Sequence, residues 1–579
     1  MRDFKNEEAL NTLNHSCAHV LAQAVKHLYP HAKFWVGPVV NEGFYYDIDL
    51  GNDVIKDEDI PKIEKEMKKI CKDGKRIVRH EISKEEALEM FKDDEYKLDL
   101  ISHLEDGNIS CYTQGDFTDL CRGPHVETVK KCKNFKLTKH SGAYWKGDKD
   151  NKVLQRIYGV CFPTAEELEE HLRVLEEAKK RDHKKLGKEL ELFMLSDYGQ
   201  GLPFFLPKGY TLRRTLEDFW LDLHKRMGYQ VIDTPIMLSR ELWETSGHWD
   251  HYKEDMFTTN IEDSEYAIKP MNCPGAILVY KNGLHSYKGL PLRYAELGHV
   301  HRAEASGALN GLFRVRGFTQ DDAHTLLRAD QIKEEVGNIL KLYDEVYSIF
   351  KLDYKIELST RPDDFIGEIA VWDEAEKALE EACLATGHEL KINPGDGAFY
   401  GPKLDFKLTD CLGRIWQCGT IQLDMQLPGR FDCTYIDANG QKVTPVMIHR
   451  ACFGSLERFM GILIEHFAGA FPLWLAPVQV KVIPVKNEYH LEYAKEITAL
   501  LEAKGIKVEL DDREEKLGYR IREAQMKKIP YQLVLGNNER DERTVTYRHY
   551  GQQKQTTVTI DEFVNMILKE IEEKTIYQQ

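Results

Sequence analysis

Gly298-His-Val-His-Arg302-Ala-Glu304, followed after a loop of small residues at 305–312 by Arg314-Val-Arg-Gly-Phe318-Thr-Gln320-Asp-Asp322-Ala-His324, decides how the middle of this chain is read. It interleaves arginines, an aromatic ring and carboxylates. These are the ingredients of a nucleoside triphosphate clamp, because guanidinium groups match phosphate oxygens and stabilise charge that develops on them. Downstream, Gly454-Ser-Leu-Glu-Arg458 opens an apolar helix whose N-terminus offers N–H groups to an anion. Upstream, Val231-Ile-Asp-Thr-Pro235 reads as a strand ended by proline, preceded by an amphipathic run at 216–227, and has no specificity alone. Any one of the arginines could be a surface salt bridge. Three of them, in order and on such motifs, point to phosphate binding. Strands and helices here follow no regular βαβ rhythm, which predicts an α+β domain on a largely antiparallel sheet.

Two breaks bound this block. Residues 164–188 read as one charge-dense, solvated linker helix, acidic at its start and basic at its end as the helix dipole favours. The second break is Phe471-Pro472-Leu-Trp-Leu-Ala-Pro477. Three blocks result, 1–190, 191–475 and 476–579, which suits 579 residues at roughly 150 per domain. In the last block, strand-like runs at 478–485, 507–510 and 531–535 alternate with helical runs at 491–504 and 517–528, an α/β pattern. Its closing helix starts at the capping box Thr559-Ile-Asp-Glu562.

Composition sets the remaining limits. With 42% hydrophobic and 30% charged residues the chain is globular, neither disordered nor collagenous nor a coiled coil. Twelve cysteines without a CxxC pair suggest neither a disulfide scaffold nor a zinc ribbon, and fit a reducing compartment. The N-terminus is polar and acidic, and no run approaches the ~18 apolar residues of a membrane span. A cytoplasmic location without membrane attachment is expected. The net charge of −17 argues at first against a polyanionic partner. Local basic ground at 179–188 and 513–528, with Arg520, Arg522, Lys527 and Lys528, weakens that argument.

In the first block, Asn14-His15-Ser-Cys-Ala-His19 stacks two histidines on one helix face. Zinc proteases carry Glu after the first His; Ser16 stands there, so that reading is poor. Asp119-Leu-Cys121-Arg-Gly-Pro-His125 offers a second Cys/His pair, and the two elements suggest a shared pocket. A metal site and a metal-free acid/base pocket are equally plausible, since His, Cys, Asp119 and Lys97 serve either.

In combination these residues resemble the threonyl-tRNA synthetase family of class II aminoacyl-tRNA synthetases, over nearly the whole chain. Pro235 is similar to the motif 1 proline, Arg302 with Glu304 to motif 2, and Arg458 to motif 3. Met271-Asn-Cys273-Pro-Gly, Gln320-Asp-Asp322-Ala-His324 and Met447-Ile-His449-Arg resemble the family's zinc-ligand motifs. The resemblance implies an α+β editing domain (1–190 with the linker helix), a class II antiparallel-sheet catalytic domain (191–475) and a C-terminal α/β anticodon-binding domain (476–579).

The resemblance further implies ATP-dependent conversion of L-threonine to threonyl-adenylate and its transfer to tRNA(Thr). One Zn²⁺ on Cys273, His324 and His449 would keep an open position for the amino group and hydroxyl of threonine. Valine, lacking that hydroxyl, is rejected; serine differs by a methyl group worth only about 1–3 kcal/mol and needs a second sieve. Arg302 would hold the α-phosphate, Arg314 and Arg458 the γ-phosphate, and Glu304 and Phe318 the adenine, with Mg²⁺ screening the phosphates. Gln320, Asp322 and Tyr400 would orient threonine, Gln417 the adenylate, and His248 would help the transfer step. His15, His19, Cys121 and His125 with Lys97 and Asp119 would edit seryl-tRNA(Thr), and Glu539 and Arg548 would read the anticodon. A homodimer is implied by motif 1. Two departures stand out: the family usually carries a small ubiquitin-like domain ahead of the editing helix on which this sequence opens, and Glu514 stands where many relatives carry Asn, an acid that would repel phosphate. The competing readings are a non-catalytic paralogue that binds RNA as a regulator, expected to lose Arg302, Arg458 or a zinc ligand, and a deacylase acting through the first block.

Overall fold

The computed structural model describes residues 4–107 and 109–577, among which no helix is long and apolar enough to cross a membrane. The chain divides into two compact units, Met1–Glu177 and Ala178–Gln579. The first boundary thus lies inside the linker helix, and the second unit holds the two remaining blocks, each around its own core. The linker itself is two helices, Ala165–Arg181 and His183–Glu189. Asp182 separates them: it leaves the helical region (φ −47°, ψ 121°) and its carboxylate accepts the N–H groups of Lys184 and Lys185. An aspartate that finds such partners favours a helix start over a helix interior.

In the first unit, helix Glu8–Leu28 turns Leu13, Cys17, Val20, Leu21 and Val25 onto the core, with the 3–4 residue spacing of a single stripe. They pack on the sheet formed by Lys33–Phe34, Gly43–Asp49, Val153–Cys161 and Phe135–Tyr144, in that order. A second sheet, Ile77–Ile82, Ile109–Gln114 and Phe117–Leu120, ends just before Cys121.

The second unit is built on an eight-stranded sheet. Its order is Gln230–Val231, Leu292–His301, Gly317–Leu327, Val446–Ser455, Ile415–Asp424, Lys403–Thr409, Asp353–Ser359 and Leu390–Asn393. All pairings are antiparallel except the two outermost. Tyr294, His324, His449 and Gln422 stand in one cross-strand row. The strand ahead of Pro235 is shorter than expected, only Gln230–Val231. Thr234 leaves the sheet because its N–H and hydroxyl go to the Glu296 carboxylate, at 3.0 and 2.8 Å.

Between Gln320 and Asp322 the pairing with Val446–Ser455 slips, leaving three residues opposite Asp321. The bulge is closed by that side chain: Asp321 Oδ2 accepts the N–H groups of Cys452 (3.0 Å) and Phe453 (2.9 Å), and Oδ1 that of Gly454 (2.8 Å). In the last block Val508–Leu510, Val480–Pro484 and Tyr531–Leu535 pair parallel, as helical crossovers require, and Thr544–His549 and Gln555–Thr559 complete the sheet antiparallel. The Thr559–Glu562 capping box starts the closing helix Ile560–Glu573.

Candidate functional site

Three side chains far apart in sequence meet at one end of the large sheet. Cys273 is the first residue of helix Cys273–Lys281, while His324 and His449 face each other on adjacent strands with ring centres 5.0 Å apart. All three are buried, and their ligand atoms lie within 4.8 Å of one another. The surroundings suit a metal. His449 Nε2 lies 2.8 Å from Asp424 Oδ2, so this nitrogen carries the hydrogen and Nδ1 keeps a lone pair. Asp322 Oδ1 stands 3.8 Å from His324 Nε2. Burial pushes His324 down to about 4, which leaves it neutral as a ligand must be. Burial also raises the Cys273 thiol, so a bound cation is the partner that would free its thiolate. One thiol and two imidazoles are a donor set for a divalent transition metal with an open position.

A cleft of about 70 Å³ opens on this cluster, lined also by Met271, Gln320, Asp322, Tyr400, Thr420 and Gln422. The Tyr400 hydroxyl donates to Gln422, and its ring lies 4.8 Å from that of His449. Asn272 Nδ2 holds Asp322 Oδ2 at 3.0 Å. Sequence reasoning finds Gln320, Asp322 and Tyr400 and misses Thr420, Gln422 and Asp424. No local motif marks those three; only the register opposite Val446–Ser455 brings them in.

A second cleft, of about 160 Å³, is lined by Arg302, Glu304, Arg314, Phe318 and Arg458 together with Gly454 and Ser455. It shares Arg302, Gln320 and Thr420 with the first, so the two lie side by side. The Arg302 guanidinium lies 5.2 Å from the Phe318 ring centre and 5.7 Å from that of Tyr252, and Nε donates to Pro270 O at 3.3 Å. Arg314 Nε is paired with Glu304 Oε2 at 2.9 Å. Arg458 Nε donates to Phe313 O at 3.0 Å, and its backbone N–H is capped by Ser455 Oγ at 3.2 Å. One N–H expected to be free for an anion is therefore used by the helix itself.

Two expected residues are not among those lining either cleft, though each touches a residue that is. Gln417 is bonded to Asp405 (2.8 Å) and Lys407 (3.0 Å). His248 is fully buried, with Nδ1 2.7 Å from Ser246 Oγ and Nε2 3.0 Å from Met271 Sδ and 3.8 Å from Cys273 Sγ. Burial pushes it down to about 3, so it is neutral.

The first unit gathers His15, His19, Cys121 and His125 with ligand atoms again within 4.8 Å. Cys121 Sγ lies 3.2 Å from both His15 Nε2 and His125 Nε2. Ser16, standing where a zinc protease has its glutamate, sets the tautomer. Its hydroxyl donates to Thr12 O (2.7 Å) and accepts from Val126 N–H (2.9 Å), so the contact at 3.1 Å to His125 Nδ1 must be a second acceptance. His125 Nε2 then carries the lone pair toward the thiol. Beside this group Lys97 Nζ meets Asp119 Oδ1 at 2.5 Å, and the Tyr46 hydroxyl, another residue the sequence does not reveal, donates to the same carboxylate. Burial depresses His15, His125 and, to about 4, His19, and raises Cys121 to about 11. Burial acts to raise Asp119 too, but Lys97 and His19 outweigh it and hold the carboxyl below its ordinary range. At neutral pH the pocket is three neutral imidazoles and a thiol beside one buried ion pair.

In the last block Glu539 accepts the Gly536 N–H (2.8 Å) and the Thr546 hydroxyl (2.6 Å), and Arg548 stands opposite Gln532 on the neighbouring strand. Glu514 is exposed.

Comparison with known proteins agrees with this geometry. The tRNA synthetase class II core domain (G, H, P, S and T) matches residues 257–467, an anticodon binding domain 479–570, and the threonyl and alanyl tRNA synthetase second additional domain 109–158. Threonine–tRNA ligases of Clostridioides difficile and Clostridium novyi are 54% and 55% identical over 99% of this chain and 90% of their own lengths. The RNA binding domain of a Cryptosporidium parvum threonyl-tRNA synthetase superposes with a TM-score of 0.66 at 41% identity, over 67% of this chain and 98% of that one. A putative threonyl-tRNA synthetase from Aeropyrum pernix gives 0.61 at 31%, over 68% and 97%. The chain belongs to the threonine–tRNA ligase family of class II aminoacyl-tRNA synthetases.

Proposed function

We propose that the two adjoining clefts together activate L-threonine with ATP and transfer it to tRNA(Thr), and that the first unit hydrolyses seryl-tRNA(Thr). The observation that carries this is the boundary at Arg302, Gln320 and Thr420, residues that line both the cleft holding Cys273, His324 and His449 and the cleft holding the arginines. An amino-acid carboxylate at that boundary lies beside the α-phosphate. Its attack on phosphorus needs no general base, because the carboxylate is already ionised, and diphosphate leaves. Arg302 would take the α-phosphate, Arg314 and Arg458 the terminal phosphate, and Phe318 the adenine ring. Arg314 Nε is paired with Glu304, which leaves its two Nη groups to take the terminal phosphate. Zn²⁺ on Cys273, His324 and His449 would supply a Lewis-acid site for the amino group and hydroxyl of threonine, and Mg²⁺ would screen the phosphates. Gln320, Asp322 and Tyr400 would complete the threonine subsite, with Gln422 orienting the Tyr400 hydroxyl. Gln417 and His248 remain the candidates for adenylate contact and for the transfer to the ribose hydroxyl.

In this reading 1–190 is the editing domain with its linker, 191–475 the catalytic domain and 476–579 the anticodon-binding domain, with Glu539 and Arg548 at the anticodon. Exposed apolar side chains near motif 1, among them Val231 (52% exposed) and Ile236 (48%), favour a homodimer. The twelve unpaired cysteines fit the cytoplasm. The test is ATP–pyrophosphate exchange: threonine supports it, serine weakly, valine not at all. Strong valine-dependent exchange would overturn the hydroxyl-reading subsite.

A further inference from the structure

Behind the arginine cleft, residues 310–314 fold into a turn closed by Phe313 N to Asn310 O (2.8 Å) and Asn310 N to Arg314 O (3.1 Å). Phe313 and Arg314 line the cleft, while Leu312, immediately before them, is fully buried. The Leu312 N–H donates to His183 Nε2 at 3.0 Å. That nitrogen therefore carries the lone pair, and Nδ1 carries the hydrogen, which it gives to Glu465 Oε1 at 2.8 Å. The same oxygen accepts the His183 backbone N–H at 2.9 Å, and Arg414 anchors the other carboxylate oxygen at 2.6 Å. The ring lies 4.0 Å from that of Phe313, and Lys184 Nζ reaches Asn310 Oδ1 at 3.1 Å. Gly311 (φ +51°) passes so close that a Cβ there would collide with His183 Nε2.

One imidazole, 1% exposed, thus ties the tip of the turn to the motif 3 helix, Leu456–His466, on which Glu465 stands. The two arginines at the far end of the cleft depend on that turn. Arg314 is part of it, and Arg458 is held by its Phe313 carbonyl. We propose that His183 is a positioning residue for these phosphate-binding arginines, acting through the Asn310–Arg314 turn. This rests on reading the cleft as the ATP site. The histidine opens the second linker helix, so the segment that leads out of the editing unit also holds the loop of the activation site.

The test uses the full chain and threonine-dependent exchange. H183A removes both bonds, H183N keeps a donor near Nδ1 but loses the acceptor, and H183Q puts an amide oxygen where Nε2 accepted. H183A and H183N should raise the KM for ATP about tenfold, H183Q should bring it back to within about threefold, and the KM for threonine should hold throughout. Gly311→Ala keeps the histidine but displaces the turn, and should reproduce the ATP-selective rise even if H183A fails to fold. Equal rises in both KM values, or H183Q behaving like H183A, would reduce His183 to a fold-stabilising residue. R458A separates the two claims. An unchanged KM for ATP in R458A overturns the ATP cleft and this role with it, whereas a weakened R458A beside a normal G311A overturns only the role of His183.

Discussion

The chain uses a cysteine with histidines twice, and the two clusters differ in what stands behind them. Cys273, His324 and His449 are backed by carboxylates, Asp424 at 2.8 Å from one imidazole and Asp322 at 3.8 Å from the other. In the first unit a hydroxyl, Ser16, backs His125, the one carboxylate near an imidazole, Asp119 at 3.8 Å from His19, is paired with Lys97 at 2.5 Å, and the thiol of Cys121 is shared between His15 and His125. A carboxylate behind an imidazole raises its basicity and steadies a bound cation; a hydroxyl fixes a tautomer without adding charge. Burial is what lowers His19 in the first-unit cluster; Asp119 acts against it, and His15 and Lys97 add smaller lowering effects. On the reading proposed above, the same residue types would hold a metal in one place and pass protons and orient water in the other, although both sets of ligand atoms lie within 4.8 Å of one another. The neighbouring chemistry differs accordingly. The arginine cleft carries fixed positive charge, whereas the first-unit pocket holds neutral imidazoles beside the Lys97–Asp119 ion pair.

This contrast can be broken by experiment. The largest effect is expected from H15A combined with C121A, which should lower hydrolysis of seryl-tRNA(Thr) by roughly 10²–10⁴ while exchange stays intact. Parallel loss of exchange would erase the division of labour. R302A should act in reverse, reducing exchange by roughly 10²–10³ and leaving hydrolysis of supplied seryl-tRNA unchanged. D424N should weaken metal retention by about 10–100-fold, read by metal analysis after dialysis against a chelator. The same dialysis should spare editing, and loss of editing together with the metal would place an ion in the first unit as well.

The smallest effect concerns pH. His19 is depressed to about 4, below the ordinary 6.5, so the unfolded chain binds more protons between those values. Its contribution to stability is therefore present above pH 6.5 and is lost as pH falls toward 4, with a slope of at most about 1.4 kcal/mol per pH unit. H19N should flatten that part of the stability profile, and an unchanged profile would show that another group titrates there.

Much of the site is legible in the sequence because its residues lie in short motifs. His15 and His19 at helical spacing, Arg302 with Glu304, and Arg458 at a helix start all point to their chemistry locally. Gln422, Thr420 and Tyr46 are not legible, since each acts through a cross-strand or cross-sheet neighbour and looks like any strand residue. Asp321 is hidden for a different reason. It stands between two expected substrate contacts, yet its carboxylate faces away from them into a bulge and holds the backbone that leads to Arg458. Residues 164–188 read as one continuous helix because charge pattern and propensity do not show that Asp182 turns out to cap a new helix beginning at His183.

The sequence by itself determined the element types, the α/β character of the last block, the arginine and histidine motifs and the family, since these depend on local periodicity and short spacings. Tertiary structure alone decided that His324 and His449 face each other, that Thr420 and Gln422 complete the cleft, that Arg314 is paired with Glu304, and that His183 supports a loop more than a hundred positions away. Register and turn geometry carry that information. A strand fixes only which face a side chain takes, and its partner across the sheet is chosen by the packing of the whole domain.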